Sequence, residues 1–292
     1  LARREIHDDR HGPQPQNLRP LRPAARPHVG ADRVGATALR RPNQAARVEW
    51  LDTARSEGSA ERRGRSAPGE GRASRRRTVP PPPGWHLPEV AAKLCELDQF
   101  DFVEGLVIKG GPEVEVLNAI SLHGGLAGAW PEAGCTAVST CRAMIAHWKR
   151  FGLPGYVQFD NDTRFQGPHS HPDVIGTVIR LCLGLGVVPV FAPPREQGMQ
   201  NSIEGFNSLW QSKVWVRFHY ESLEALREQS DRYIGALRIR RAARIGDAPA
   251  RSPFPSRWKF DKEAKISSGS IIFIRRTSDK GAVSILGRSY PV

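Results

Sequence analysis

The sequence has no run of about 18 apolar residues, which excludes a helix able to span a bilayer, and no membrane partner is expected. It has only four cysteines, Cys95, Cys135, Cys141 and Cys182. They form no CxxC pair and no zinc-ligand spacing, so they read as reduced, partly buried thiols. The first ten residues are charged and polar, without an apolar signal segment, so a cytoplasmic, nucleoid-associated protein is expected. Lysine is missing from residues 1–80. Phenylalanine and tyrosine are missing from residues 1–84, where Trp50 is the sole large aromatic.

What is present divides in two. The 292 residues have room for one or two domains plus tails. The net charge of +13 suits a polyanionic partner, because Lys and Arg that neutralise phosphates release counterions. Residues 1–80 hold 18 Arg and 9 acidic residues, so the remainder carries only +4 of that surplus. Residues 1–84 keep no sustained period of 2 or 3.6 and have too few large apolar groups to offset the entropy of ordering a backbone. They read as a disordered arm that wraps DNA, or as an out-of-frame or decayed stretch. Arginine without any lysine favours the second. The tract Thr78–Gly84 closes the region as a stiff linker.

From Trp85 the texture becomes that of a folded domain. Cys95–Ile108 alternates as a strand, and Lys109–Pro112 turns the chain. Val114–Leu122 and Leu126–Trp130 read as two more strands, completing a meander. A helix is predicted over Thr136–Phe151, where Val138, Cys141, Ile145 and Trp148 share a stripe. Then follow a strand at Tyr156–Phe159, a helix at Val174–Leu183 and a buried strand at Val187–Phe191. Helices at Asn201–Phe218 and Ser222–Arg238 complete the order β-β-β-α-β-α-β-α-α. That order implies a mixed five-stranded sheet with flanking helices. The boundaries are a core over 85–243, a linker over 244–265 and a small, short β domain over 266–292.

Three carboxylates stand at ends or faces of these elements. Asp101 lies within the first strand, Asp160 ends the fourth, and Glu204 is in the first turn of a helix. Carboxylates brought together raise each other's pKa. A divalent cation reverses that. Hard Mg²⁺ takes carboxylate oxygens, and two ions about 4 Å apart can clamp a phosphodiester. On the pattern alone the positions also suit ordinary roles, since Glu204 complements a helix dipole and Asp160 starts a turn.

The region Trp85–Arg238 resembles the integrase-like core of bacterial insertion-sequence transposases, of the retroviral-integrase and ribonuclease H-like superfamily. Phe159-Asp160-Asn161-Asp162-Thr163-Arg164-Phe165 is similar to the segment around that family's second catalytic Asp. Gln200–Asn207 is similar to the segment carrying its Glu, with Asn201 three residues before Glu204 and Phe206 two after. Asp101-Phe102-Val103-Glu104 resembles the first Asp. The resemblance implies a DDE-type polynucleotidyl transferase acting on the double-stranded DNA of element ends and target. It would use two Mg²⁺ or Mn²⁺ ions held by Asp101, Asp160 and Glu204, and work as a homo-oligomer. The tail from Gly269 to Arg288 is similar to the small β domain of some members. By that resemblance Arg275, Arg276 and Arg288 would touch the DNA backbone.

Lys213 and Arg217, one helical turn apart beyond Glu204, are further candidate phosphate contacts. Trp210 and Trp215 read as core or interface residues, and no metal ligation is assigned to His123, His147, His169 or His171. Four features depart from the family pattern. The 43 residues between Asp160 and Glu204 are more than usual, with the surplus expected around Gln166–Pro172. Asp162 stands where glycine is usual. Asp98 competes with Asp101 as the first carboxylate, although only one can face a common site. No helix-turn-helix pattern precedes the core. Two other functions fit the residues: an inactive DNA-binding remnant or regulator, and a ribonuclease H-type nuclease.

Overall fold

The structure, a computed structural model, describes residues 82–168, 174–194, 198–266, 268–279 and 281–291, and the backbone of 46–49. The rest of the Arg/Pro-rich segment, His169, His171, and Arg195–Gln197 lie outside the described residues.

In chain order the elements are β1 (Ala46–Glu49), α1 (Pro88–Ala91), β2 (Leu97–Val107), β3 (Glu113–Ser121), β4 (Ala127–Glu132), α2 (Ala137–Phe151), β5 (Tyr156–Phe159), α3 (Thr163–Gln166), α4 (Thr177–Gly184), β6 (Val188–Phe191), α5 (Asn201–Trp210), a π-helical turn (Gln211–Trp215), α6 (Leu223–Arg240), α7 (Ala242–Gly246), β7 (Gly269–Phe273), β8 (Ala282–Ile285) and β9 (Arg288–Pro291). The main sheet has the order β1-β7-β6-β5-β2-β3-β4. Its β2–β3 and β3–β4 pairs are antiparallel, and β5, β6, β7 and β1 follow β2 in parallel. The five expected strands are β2 to β6, the mixed ribonuclease H-like arrangement. Two more extend the sheet past β6. The tail read as a small β domain divides: β7 joins the main sheet, and only β8 and β9 form a separate hairpin.

Alternation along β2 sets the two faces. Phe100 points to a cluster with Phe159, Phe165, Met144 and Trp148 under α2, α3 and α4. Val103 points the other way, to Ile203, Phe206, Trp210 and Val214 of α5 and the π turn, and to Leu226 and Ile234 of α6. Asp98 shares the Phe100 face, whereas Gln99 and Asp101 share the Val103 face. A bulge between Val103 and Leu106 shifts the register, and pairing resumes at Leu106 opposite Val114. Gly105 sits there at φ 71°, a conformation that glycine reaches without Cβ strain.

The helices start and stop for local reasons. Thr136 and Ser139 form a reciprocal capping box at α2, and Gly152 ends it at φ 85°. The buried stripe of α2 is Cys141, Met144 and Trp148. The helix expected over Asn201–Phe218 is regular only to Trp210, after which it widens into the π turn. α6 lies against β4, an edge strand. Arg238 and Arg227 of α6 donate to the carbonyls of Ala127 and Pro131 at 2.8 and 2.9 Å. They satisfy acceptors that an edge leaves unpaired. Among the described residues no helix is long and apolar enough to cross a membrane.

Candidate active site

The site is built on a register. Gln99 of β2 lies beside Gln158 of β5, and Gln99 Nε2 donates to Gln158 Oε1 at 3.0 Å. Two residues further along each chain the alternation returns to the same face. Those residues are Asp101, within β2, and Asp160, the residue just past the end of β5. On the other side of β2, Asp101 pairs with Asn118 of β3.

The glutamines also fix the third element. α5 has no side-chain cap of its own. Its Ile203 N–H is shared between the Gln200 carbonyl at 3.0 Å and Gln99 Oε1 at 3.1 Å, so the sheet adds an acceptor at the helix start. Gln99 and Gln158 both donate to the Met199 carbonyl just before α5. One turn into the helix, Asn207 Nδ2 donates to Asp101 Oδ2 at 2.8 Å, and Asn118 Nδ2 donates to Asn207 Oδ1 at 2.8 Å. This buried amide chain holds α5 over the two aspartates. Glu204, one residue past Ile203, projects from the exposed side of that turn.

The electrostatics record the crowding. Burial, then the charge of Asp160, with a smaller contribution from Glu204, pushes the Asp101 carboxyl up to about 7. Burial also raises Asp160, against a hydrogen bond from the Asp162 N–H at 3.0 Å. Among the described residues, no three His, Cys, Asp or Glu side chains converge tightly enough to grip a metal ion as they stand. Two aspartates are side by side, and the third carboxylate is within electrostatic reach on an exposed side chain. The donor set is all oxygen, and the aspartates carry charge that their surroundings disfavour. Both features fit a hard divalent cation.

The Asp98 ambiguity resolves. Asp98 faces α2, accepts from Trp148 Nε1 at 3.0 Å, and forms a buried ion pair with Arg251. It is a structural anchor with no side toward Asp101's face. Asp162 caps α3 by accepting from the Arg164 N–H at 2.7 Å. Arg164 then binds Asp162, Glu104 and Glu115 while its guanidinium lies 3.7 Å from the Phe102 ring centre. The extra acid at the usual glycine position is thus neutralised locally.

Arg275 is a correction. The sequence assigned it to the DNA backbone, but it turns inward. Its Nη1 donates to the carbonyls of Ala192 and Ile274, its Nε to Ser284, and its Nη2 to Asn161 Oδ1 at 2.7 Å. Burial lowers its pKa to about 10. Asn161 also donates to the Ala192 carbonyl and accepts from Gln166 at 2.5 Å. The residue after Asp160 is therefore pinned from three directions. Neither the amide chain nor this pin was read from the sequence. Gln99, Asn118 and Asn207 are amides within strands and a helix, and Asn161 follows Asp160 in a turn; that was the available signal. Lys213, Arg217 and Arg276 are exposed, and Arg288 is half-buried in β9.

The site is thus a mixed sheet with Asp101 within β2 and Asp160 just past β5, under the helix that carries Glu204. No family model and no curated protein matches the chain. Two solved structures are similar to it. One is the simian T-cell lymphotropic virus intasome in complex with the PP2A regulatory subunit B56 gamma. It is 12% identical with a TM-score of 0.43, and covers 56% of this chain. The chain spans 58% of the length of that intasome chain. The other is the catalytic core domain of BIV integrase, 18% identical with a TM-score of 0.35, covering 46% of this chain and 79% of that one.

Proposed function

We propose that this chain is a DNA transposase of the insertion-sequence type, which nicks a DNA strand and joins the freed 3′ end to a target. The observation that carries the reading is the placement of Asp101 and Asp160. They lie on one face of adjacent strands, with the Glu204 helix tied to Asp101 through Asn207. The sequence motifs around Asp160 and Glu204 support it independently.

Asp101, Asp160 and Glu204 would hold two Mg²⁺ or Mn²⁺ ions, which when bound neutralise phosphate charge and activate the attacking oxygen. The chain's own part is positioning. Asn207 orients Asp101, the Gln99–Gln158 pair sets the height of α5, and Asn161 fixes the backbone after Asp160. Phosphoryl transfer asks a protein mainly for such placement, so no side-chain nucleophile is required. The substrate is double-stranded DNA, element end and target alike. The active form is a homo-oligomer that holds both ends. Lys213, Arg217 and Arg276 are exposed candidates for backbone contacts.

The test is strand nicking of supercoiled plasmid, and of duplexes carrying the DNA that flanks the coding region, in Mg²⁺ or Mn²⁺. Asp160→Asn is expected to slow nicking by roughly a thousandfold, the scale on which phosphoryl-transfer sites respond to losing one charge-stabilising group. Equal nicking by parent and variant refutes the assignment. Cleavage of RNA–DNA hybrids without any joining replaces transposase by nuclease.

A further inference from the structure

We infer that a cavity between α5 and the β3–β4 turn is a second anchoring point for substrate DNA, where Arg241 and Arg244 hold one backbone phosphodiester beside the cutting site. The inference rests on the proposed DNA chemistry and adds a place where that DNA is gripped.

The cavity has a volume of about 160 Å³. A water's share of liquid volume is about 30 Å³, so the space exceeds what one or two waters fill. Its lining includes Ser121 and Gly125 of the turn side, Ser202 and Gly205 of α5, and Arg241 and Arg244. The arginines are close together. A Cβ built on Gly125, which sits at φ 65°, would lie 3.2 Å from Arg244 Cζ and 3.3 Å from Arg241 Nη1. Two guanidinium groups thus pack on one glycine turn.

Their donors are only partly used. Arg241 Nη1 donates to the Gly125 carbonyl at 2.9 Å. Arg244 donates through Nε to His123 and through Nη2 to Leu122 at 2.8 Å. A guanidinium carries five N–H donors, so each keeps several. Among the described residues, no carboxylate forms an ion pair with either. Burial, then the charge of Arg244, lowers the pKa of Arg241. The Arg227 and Arg238 clamps on β4 place one guanidinium per carbonyl site. Here two like charges crowd one turn and line an open space. An anion relieves that repulsion and takes the spare donors, and the fork geometry of Arg matches a phosphate.

The location suits the same ligand. The cavity borders α5 at Ser202, Gly205 and Phe206, and α5 is the helix that carries Glu204 and Asn207.

The experiment measures binding of the full chain to a labelled duplex by fluorescence anisotropy across a salt series, without divalent ions. The variants are the double substitutions R241A/R244A and R241K/R244K, each checked by melting temperature. The alanine pair is expected to bind at least about tenfold more weakly, with a salt slope smaller by about one. The lysine pair is expected to keep the slope and most of the affinity. A folded alanine pair matching the parent in affinity and slope overturns the inference, as does a lysine pair losing as much as the alanine pair. If the alanine pair does not fold, single methylphosphonate linkages are scanned along the duplex with the parent protein. One position is expected to weaken binding in the parent, and a flat scan overturns the inference. A parent that neither binds nor nicks DNA sinks the proposed function itself. A parent that nicks, with an alanine pair that binds as it does, sinks only the phosphate site.

Discussion

Single residues in this core divide into those that hold it together and those held against their own preference. Asp98 and Asp101 are three residues apart on one strand and belong to opposite groups. Asp98 is buried with a guanidinium and an indole N–H on its oxygens. Removing it strands the Arg251 charge, and a broken buried pair costs about 3–5 kcal/mol. Asp98→Ala is therefore expected to lower thermal and urea stability by that amount, read as a shift of the unfolding midpoint. Asp101 is buried beside another aspartate. Asp101→Asn keeps the shape, can still bond to Asn207, and removes a repulsion. It is expected to melt no lower than the parent while losing nicking. If Asp101→Asn unfolds the protein and Asp98→Ala does not, the roles are reversed and the site is misplaced. The sequence could state that only one of the two faces the site, since alternation dictates it. It could not name the partners, because Arg251 is 153 residues away from Asp98.

At the scale of elements, the ones legible in advance were those with a strong period. β2 to β6, α2 and α6 follow their apolar patterns, with ends differing by a few residues. The short α1 and α3, four residues each, carry too few positions to show a period. The π turn was hidden because Val214 and Trp215 keep the apolar spacing going while the backbone widens. The placement of β7 was missed because Ile271, Ile272 and Phe273 suit a small barrel as well as a sheet edge; only the open flank of β6 decides. The acidic positions came from motif resemblance, but the device that assembles them is tertiary. Gln99 supplies an acceptor to a helix in a distant part of the chain. Gln99→Leu removes one of two acceptors of the Ile203 N–H, which keeps the Gln200 carbonyl at 3.0 Å, so the cost is about that of one net hydrogen bond, about 1 kcal/mol. It is expected to speed hydrogen exchange at the first amides of α5 more than in β2 or β3, and to reduce nicking. Uniform exchange across all three elements would show that the glutamine does not seat the helix.

For the whole molecule, a group outside the site opposes in acid the contribution of Asp101, whose raised pKa makes the folded state gain stability as pH falls below about 7. His147 is buried among the rings of Phe100, Trp130 and Phe151, and neither ring nitrogen has a hydrogen-bond partner. Burial lowers its pKa to about 3; nearby Asp98 works against that, and Arg251, Arg238 and Arg150 work with it. The unfolded chain would protonate it near 6.5. Above that pH it is neutral in both states and contributes no slope. Between about 6.5 and 3 the unfolded state takes up a proton that the folded state refuses, so stability falls as pH falls. His147→Phe is expected to flatten that slope and move the acid midpoint of unfolding to lower pH, and an unchanged acid limb would assign the loss elsewhere. His86, lowered to about 4 by burial, adds a smaller loss in the same direction. Arg275 has another implication at this scale. It sits beyond β7 near the end of the chain, yet it fixes Asn161, which follows Asp160 in the middle. During synthesis, a growing polypeptide has made both aspartates and Glu204 long before this arginine leaves the ribosome. A nascent or prematurely terminated product therefore carries the acidic residues without the arginine that braces Asn161.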